Sequence, residues 1–380
     1  MGGDTAQISS APEQVGDPVS GHTLNANIQG ARGLFCAMIF FYHVINSALP
    51  APAAVTAGPL HFALMSLSHS VELFFGISGI VIIGSLRRSR SAAAFLWNRS
   101  TRIFPVLWVT VVIFLAMNIA GGRPEGVPPL ALIAALPANL LAMPPVVPVP
   151  LIHPAAWSLS YEFAFYLVCA SGFALFALVG RWGYALPIAA AAPLLWIHTP
   201  ALMFIPGVLV ALNAVPPIAR WIGLRFSLAA LVAFLAVWHT VIEIAATKKL
   251  TLLAFLTFAD WRSLLMPLSL LLAYILFIGM SSGAGVLGRI LRTPAMLWMG
   301  TISYSFYLWH PIAMAFVKLG LYKSGLVALA GNWSMPIFFA LALPPSLALA
   351  WASQRVLEVR VTKWLRGRNV KPTAAAATEA

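Results

Sequence analysis

The chain alternates long runs of apolar residues with short polar loops. From Gly30 to Arg355, stretches of about 20 mostly apolar residues recur, each long enough to cross ~30 Å of hydrocarbon as a helix. The pattern predicts an all-α fold, a polytopic transmembrane helical bundle of about ten helices. The predicted spans are 30–49, 61–85, 103–120, 156–179, 183–197, 200–215, 226–247, 263–280, 295–317 and 333–354. The proline-rich piece from Val127 to Pro150 is expected to be a long loop.

The two ends of the chain lack this apolar pattern. Residues 1–27 contain no Lys or Arg and are rich in Gly, Pro and Ser, so they predict a disordered tail without the basic start of a signal peptide. Residues 369–380 are Ala-rich and predict a second disordered tail. The single membrane domain is therefore expected to span residues 28–368.

Composition excludes a water-soluble fold and sets the orientation. Hydrophobic residues make up 61% of the chain and charged residues 9%, against about 25% charged in a soluble domain. The net charge of +13 comes from basic residues in short loops, which form no nucleic-acid-binding stripe, so no nucleic acid is expected as a partner. Placing both termini in the cytoplasm puts 17 of the 23 Lys and Arg residues inside, as the positive-inside rule requires.

The first span carries two ionisable residues in the segment GARGLFCAMIFFYH. A charge in hydrocarbon costs at least ~2.5–3.5 kcal/mol, so each such residue needs a partner, a wet cavity or a function. Arg32 and His43 lie eleven positions apart, about three turns and ~16 Å, on one helix face. This spacing suits an anion anchor at Arg32 and a proton acceptor at His43. Alternatively, His43 bonds a neighbouring helix and Arg32 reaches lipid phosphates.

The segment VELFFGISGIVIIGSL places an acid on a small-residue face. Glu72, Gly76 and Gly79 recur at i, i+4 and i+7, so another helix or a slender substrate can approach the backbone there. Glu72 is the predicted partner of His43. The alternative is a close-packing face with a protonated Glu72.

Five arginines follow at the cytoplasmic border of the next span. Arg87, Arg88 and Arg90 are best explained as topology signals. Arg99 and Arg102, at i and i+3 of the membrane border, are candidates for binding the phosphates of a nucleotide-like donor.

Two later segments add polar groups inside the membrane. In WSLSYEFAFYL, Ser158 and Glu162 are i, i+4 neighbours. In GTISYSFYLWHP, Ser303, Tyr307 and His310 share one face before a proline. Aromatic packing with an interfacial His310 is the alternative for the latter. The histidines come from separate segments without metal-ligand spacing, so no metal site is predicted.

As an ordered set, these segments resemble the integral-membrane acyltransferases of the O-antigen and Nod-factor acetylase type, acyltransferase family three. The likeness covers nearly the whole chain: the Arg32 to His43 spacing, VELFFGISG, RSTRIFP, WSLSYEFAFYL and GTISYSFYLWHP follow in that family's order. The ending SQRVLEV, with Glu358, is similar to its closing helix. The chain departs from the family at Gln29, where many members have an acid, and at Val359, where a proline is usual.

The resemblance implies a multi-pass protein of the bacterial inner membrane. The implied donor is acyl-CoA, with acetyl-CoA expected, bound from the cytoplasmic side; no tightly bound cofactor is implied. The implied acceptor is a hydroxyl of a carbohydrate or glycosylated molecule. The family's essential histidine corresponds to His43, its arginine to Arg32, and its border arginines to Arg99 and Arg102.

The mechanism expected from these residues is general-base catalysis. His43 deprotonates the acceptor hydroxyl, a role worth about 10²–10⁴ in rate, while Glu72 orients its imidazole. Tyr307, Ser303 or Ser158 donates to the developing oxyanion. A covalent acyl-histidine remains an open variant.

The competing function is a proton-coupled transporter or flippase. In that hypothesis, Glu72, Glu162 and His43 form a proton relay. The sequence leaves open the identity of the acyl group and of the acceptor, the face from which the acceptor enters, and the oligomeric state.

Overall fold

A computed structural model describes residues 14–16, 23–122, 126–248 and 261–367 of the chain. Two three-residue strands, β1 and β2, pair antiparallel at Gln14–Gly16 and Thr23–Asn25. All other regular elements in the described ranges are helical. The longer helices are α1 Ala26–Ile45, α2 Gly58–Ser66, α3 Ser70–Arg88, α4 Ala92–Met117, α5 Pro129–Leu140, α6 Trp157–Val179, α7 Ala185–Ile197, α8 Phe204–Ala211, α9 Pro217–Lys248, α10 Leu265–Ser282, α11 Pro294–Lys323 and α12 Ser334–Ser353.

The remaining helical elements are short or irregular. They are the helices Ala53–Thr56, Gly285–Leu291, Leu326–Ala330 and Thr362–Gly367, the 3-10 turns Leu67–His69, Pro154–Ala156, Gly180–Tyr184, Thr199–Met203, Trp261–Leu264 and Gly331–Trp333, and the π-helical turns Asn118–Gly122 and Gln354–Val361.

The fold is the predicted all-α polytopic membrane bundle. Within the described ranges, seven helical stretches are long and apolar enough to cross a membrane, and Pro129–Leu140 and Thr199–Ala211 are shorter apolar helices. Large apolar side chains such as Leu178, Leu130 and Leu186 point outward, 70–79% exposed. A bilayer accommodates such an exterior, since its hydrocarbon is as apolar as the side chains. The number of about ten spans and the cytoplasmic termini stay predictions.

Three boundaries differ from the sequence expectation. The first helix begins at Ala26, inside the predicted tail, because the Asn25 side chain caps it by accepting from the Asn27 amide at 2.9 Å. Helix α4 begins eleven residues before the predicted span. Its first turns are helical but too polar for a hydropathy pattern to include them in a membrane span. Helix α5 occupies half of the predicted loop from Val127 to Pro150. The tail at 369–380 lies outside the described residues.

Helix α1 stands at the centre of the bundle, between two apolar cores. Phe40 and Ile39 belong to a core with residues of α4, α5, α11 and α12. Phe35 and Met38 belong to a second core with residues of α3, α9 and α10. A helix packed on both sides holds its polar residues at defined positions relative to every neighbour.

Glycines let the central helices approach at backbone distance. A methyl group at Gly300 of α11 would lie 1.9 Å from the carbonyl oxygen of Gln29 in α1. A methyl group at Gly207 of α8 would lie 1.9 Å from the carbonyl oxygen of Gly76. Another helix therefore does pack on the small-residue face of α3, as its spacing predicts.

Replacing Gly300 with alanine is expected to destabilise the protein because backbone atoms cannot move aside as a flexible side chain can. Overpacking of this kind typically costs about 1–3 kcal/mol. The matched control is Gly320→Ala in the same helix, where an added methyl group meets open space and a helical alanine is favoured by about 0.5–1 kcal/mol. Thermal unfolding in detergent measures both; equal midpoints for the two variants would contradict the close approach.

Candidate active site

A cavity of about 110 Å³ lies where five helices of the bundle meet. Its walls come from α1, α3, α4, α6 and α11. Seven of the ten predicted site residues line it: Arg32, Arg99, Arg102, Ser158, Glu162, Ser303 and Tyr307. His43, Glu72 and His310 do not line this cavity. Segments far apart in sequence thus contribute to one space inside the membrane domain.

Three guanidinium groups give the cavity its charge. Arg99 and Arg102 come from one face of α4, and Arg32 comes from the first third of α1. The Arg99 guanidinium carbon lies 5.8 Å from the centre of the Phe95 ring and 6.0 Å from that of Tyr166. Aromatic faces attract a cation and exclude water. The arrangement presents concentrated positive charge in a setting of low dielectric constant.

Glu162 is held by two hydroxyl donors inside the cavity. Ser78 Oγ donates to its Oε1 at 2.7 Å, and the Tyr166 hydroxyl donates to the same oxygen. Sequence reasoning did not single out Tyr166, although its i+4 spacing from Glu162 is a readable signal. Ser78 lies on α3, 84 residues before Glu162 in the sequence. Its hydroxyl therefore gives this partly buried acid a hydrogen-bond partner from another helix.

The other polar wall consists of hydroxyl groups from α6 and α11. Ser158 Oγ and the Tyr307 hydroxyl are 3.0 Å apart. Ser303 Oγ donates to the Gly300 carbonyl at 2.9 Å, so its proton is engaged within its own helix. Of the three predicted oxyanion donors, Ser158 and Tyr307 therefore form the pair that can reorient toward a substrate oxygen.

Two histidines lie one helical turn beyond the Tyr307 end of the cavity. The His310 ring centre is 6.2 Å from that of Tyr307 and 5.1 Å from that of His43. His43 is partly buried, whereas His310 is 1% exposed. Helix α11 thus places His310 between the hydroxyl groups of Ser158 and Tyr307 and the predicted base His43.

Glu72 lies in a different cluster from the one predicted. Its Oε1 is 3.3 Å from His69 Nδ1 and accepts from Trp238 Nε1 at 3.4 Å. His69 Nε2 is in turn 3.0 Å from Nδ1 of His239 on α9. The described hydrogen bonds of Glu72 are therefore with His69 and Trp238 and not with His43, the expected partner.

Glu358 lies after α12, near Arg102 and Arg32. Its Oε1 accepts from the Ser305 amide at 3.1 Å and from Ser305 Oγ at 2.5 Å. The charges of Arg102 and Arg32 act on this carboxylate. The π-helical turn Gln354–Val361 carries it, and such irregular turns often occur at functional sites. The family-like ending of the chain thus reaches the same helices as the cavity.

Comparison with known proteins identifies the family of the chain. A family model described as an acyltransferase domain matches residues 25–355. The Exopolysaccharide production protein ExoZ of Rhizobium meliloti (strain 1021) is 30% identical over 82% of this chain and 93% of its own length. Acyltransferase MdmB of Streptomyces mycarofaciens is 30% identical over 37% of each chain. Nodulation protein 10 of Rhizobium leguminosarum bv. viciae is 44% identical over 16% of this chain and 17% of its own length. No solved structure matches the chain.

The helical membrane bundle and the matched domain define an enzyme that transfers acyl groups. The chain belongs to acyltransferase family three, as the order of its motifs indicates. Family membership favours the enzyme over the transporter alternative. The matched region covers less than two fifths of the length of two of these relatives. The acyl donor, the acceptor and the catalytic base are therefore proposals.

The contacts of Glu72 predict which histidine it is coupled to. Glu72→Gln and His69→Gln should each destabilise the protein, while the double variant should lose less than the sum by about 0.5–3 kcal/mol, because the two share one buried contact. Thermal unfolding in detergent measures this double-mutant cycle. The control is Glu72→Gln combined with His43→Gln, for which additive losses are expected. Coupling with His43 and none with His69 would contradict the observed pairing.

Proposed function

We propose that this protein transfers an acyl group, acetyl as the first expectation, from acyl-CoA to a hydroxyl of a carbohydrate or glycosylated acceptor. The observation that carries the proposal is the cavity, which joins three arginines to a hydroxyl wall one turn from two histidines. Its acyl-transferring family gives the reaction class, and the exopolysaccharide-related name of ExoZ supports a sugar acceptor.

The arginines suit the phosphates of the donor. Guanidinium groups bind phosphate oxygens through paired hydrogen bonds, and Arg32, Arg99 and Arg102 converge from two helices. A volume of about 110 Å³ is far below the ~300–1,000 Å³ of a site that encloses a whole drug-sized ligand. The nucleotide of acyl-CoA then stays at the cytoplasmic mouth, and only the slender thioester arm enters between the helices.

His43 suits the role of general base. It lies about three turns and ~16 Å above Arg32 on the same helix, so a donor anchored by its phosphates can reach toward it. One ring nitrogen takes the acceptor's hydroxyl proton while the oxygen attacks the thioester carbon. The new C–O ester bond forms, the C–S bond breaks, and the thiolate leaves and takes up the proton. Tyr307 and Ser158 donate to the oxyanion during this step.

The proposal places the enzyme in the inner membrane as a multi-pass protein with both termini cytoplasmic. The basic mouth then faces the acyl-CoA pool, and the histidines lie past mid-membrane. The acceptor approaches the partly buried His43 side of the bundle.

Free thiol released from acetyl-CoA tests the reaction directly. Purified protein with membrane-glycan extract should release thiol in proportion to acceptor, and His43→Gln should lower the rate about 10²–10⁴-fold, the usual worth of a general base. His61→Gln is the matched control, because His61 lies outside the cavity and bonds only the Val55 carbonyl at 2.8 Å.

Both variants are compared at equal amounts of monodisperse protein in detergent. Equal rates for wild type and His43→Gln would remove His43 from the mechanism. If several acyl-CoAs and acceptors give no thiol, the proposed donor is wrong.

A truncated donor separates phosphate binding from chemistry. Arg99→Gln and Arg102→Gln should raise the KM for acetyl-CoA, each lost charge-assisted contact being worth about 1.5–3 kcal/mol. The KM for acetyl-N-acetylcysteamine, which carries no phosphate, should change little. The control is Arg90→Gln, an exposed arginine outside the cavity. An equal rise in KM for both donors would argue against phosphate binding by these arginines.

A further inference from the structure

The hydrogen bond of His310 to its own helix determines which of its nitrogens carries a proton. His310 Nδ1 lies 2.9 Å from the Phe306 carbonyl oxygen. A carbonyl oxygen can only accept, so Nδ1 is the N–H donor. In the neutral imidazole, Nε2 then carries a free lone pair.

That lone pair is buried and has no protein partner among the residues that the structure describes. His310 is 1% exposed. A buried acceptor without a partner is costly, and in native proteins it often marks a functional group. The observation calls for a donor that engages Nε2 during the reaction.

The rings that contact His310 differ in whether they can donate to Nε2. Its ring stacks on Phe306 at 5.5 Å and meets the edge of Phe40 at 6.2 Å, and neither ring has an N–H or O–H group. The Tyr307 hydroxyl lies 3.0 Å from Ser158 Oγ, and the proposed mechanism assigns this pair to the substrate oxygen. The remaining ring in contact is His43, whose centre lies 5.1 Å away at an interplanar angle of 44°.

We propose that His310 is the positioning residue for the base His43, accepting a hydrogen bond at Nε2 from the His43 N–H as the base takes up the acceptor's proton. This inference rests on the proposed function of His43. A base oriented by a third group is the general arrangement of hydrolytic triads, in which a carboxylate usually fills this place. Here Glu72 is engaged by His69, and His310 fills it.

The proton balance follows from the two tautomers. Neutral His43 carries one N–H, which donates to His310 Nε2, and its other nitrogen takes the acceptor's proton to form an imidazolium. The hydrogen bond to His310 stabilises this charge without adding a carboxylate to the apolar core. The proton then passes from His43 to the leaving thiolate, and both histidines return to their neutral forms.

Asparagine and glutamine at position 310 separate the two nitrogens of the ring. His310→Asn can still donate to the Phe306 carbonyl from a position near Nδ1, but it removes the acceptor at Nε2. His310→Gln can place an amide oxygen near Nε2. His310→Asn is expected to lower kcat about 10- to 100-fold with the KM for acetyl-CoA unchanged, and His310→Gln to recover most of that loss.

The decisive measurement is a double-mutant cycle in thiol release. In a His43→Gln background, His310→Asn should lower the residual rate no further, because His310 acts through His43. The same fold loss in both backgrounds, or an unchanged kcat for His310→Asn, would overturn the positioning role. If wild type releases thiol but His43→Gln matches it, the base itself is wrong and this inference fails with it.

Nitrogen NMR supplies a readout independent of activity. In protein labelled with ¹⁵N-histidine and embedded in lipid, wild type should show a neutral Nδ1–H imidazole that disappears in His310→Gln. His43 resonances should shift in His310→Asn and less so in His310→Gln. An Nε2–H tautomer for His310 would exclude the proposed contact even if the asparagine variant folds poorly.

Discussion

The structure depends on one constraint: a polar group inside a hydrocarbon layer must find its partner within the protein. Three of the described acids in the membrane helices show how this is met. Glu162 takes two hydroxyl donors, Glu358 takes Ser305, and Glu72 takes His69 and Trp238. These contacts tie together helices that are far apart in sequence. The polar residues therefore set the register of the bundle as well as its chemistry.

Close packing makes those contacts possible. Apolar side chains gain little by leaving lipid for another helix, so helices associate where small residues allow backbone contact. Gly300 lets α11 meet α1, and Gly207 lets α8 meet α3. Arg32 and Tyr307 consequently face one narrow cavity. The glycine contacts thus bring together the helices whose polar residues line the cavity.

Periodicity and motif order predict much of the site, because they place residues on faces of single helices. Arg32, Arg99 and Glu162 were each predicted from their positions on single helices. They line the cavity together with four other predicted residues. The contact of Glu72 with Trp238 depends on tertiary packing, since the two residues lie 166 positions apart. His69 itself, at i−3 of Glu72, was readable from the sequence. The start of α4 was missed because hydropathy cannot recognise a polar helical turn.

The distribution of charge distinguishes two ends of the candidate site. Three guanidinium groups outnumber the two nearby carboxylates, Glu162 and Glu358, so the cavity favours an anion at its basic end. The histidine end is packed with aromatic rings. A neutral imidazole there has a lone pair available. Arg32 and His43, the proposed phosphate ligand and the proposed base, are therefore held about three turns apart on one helix.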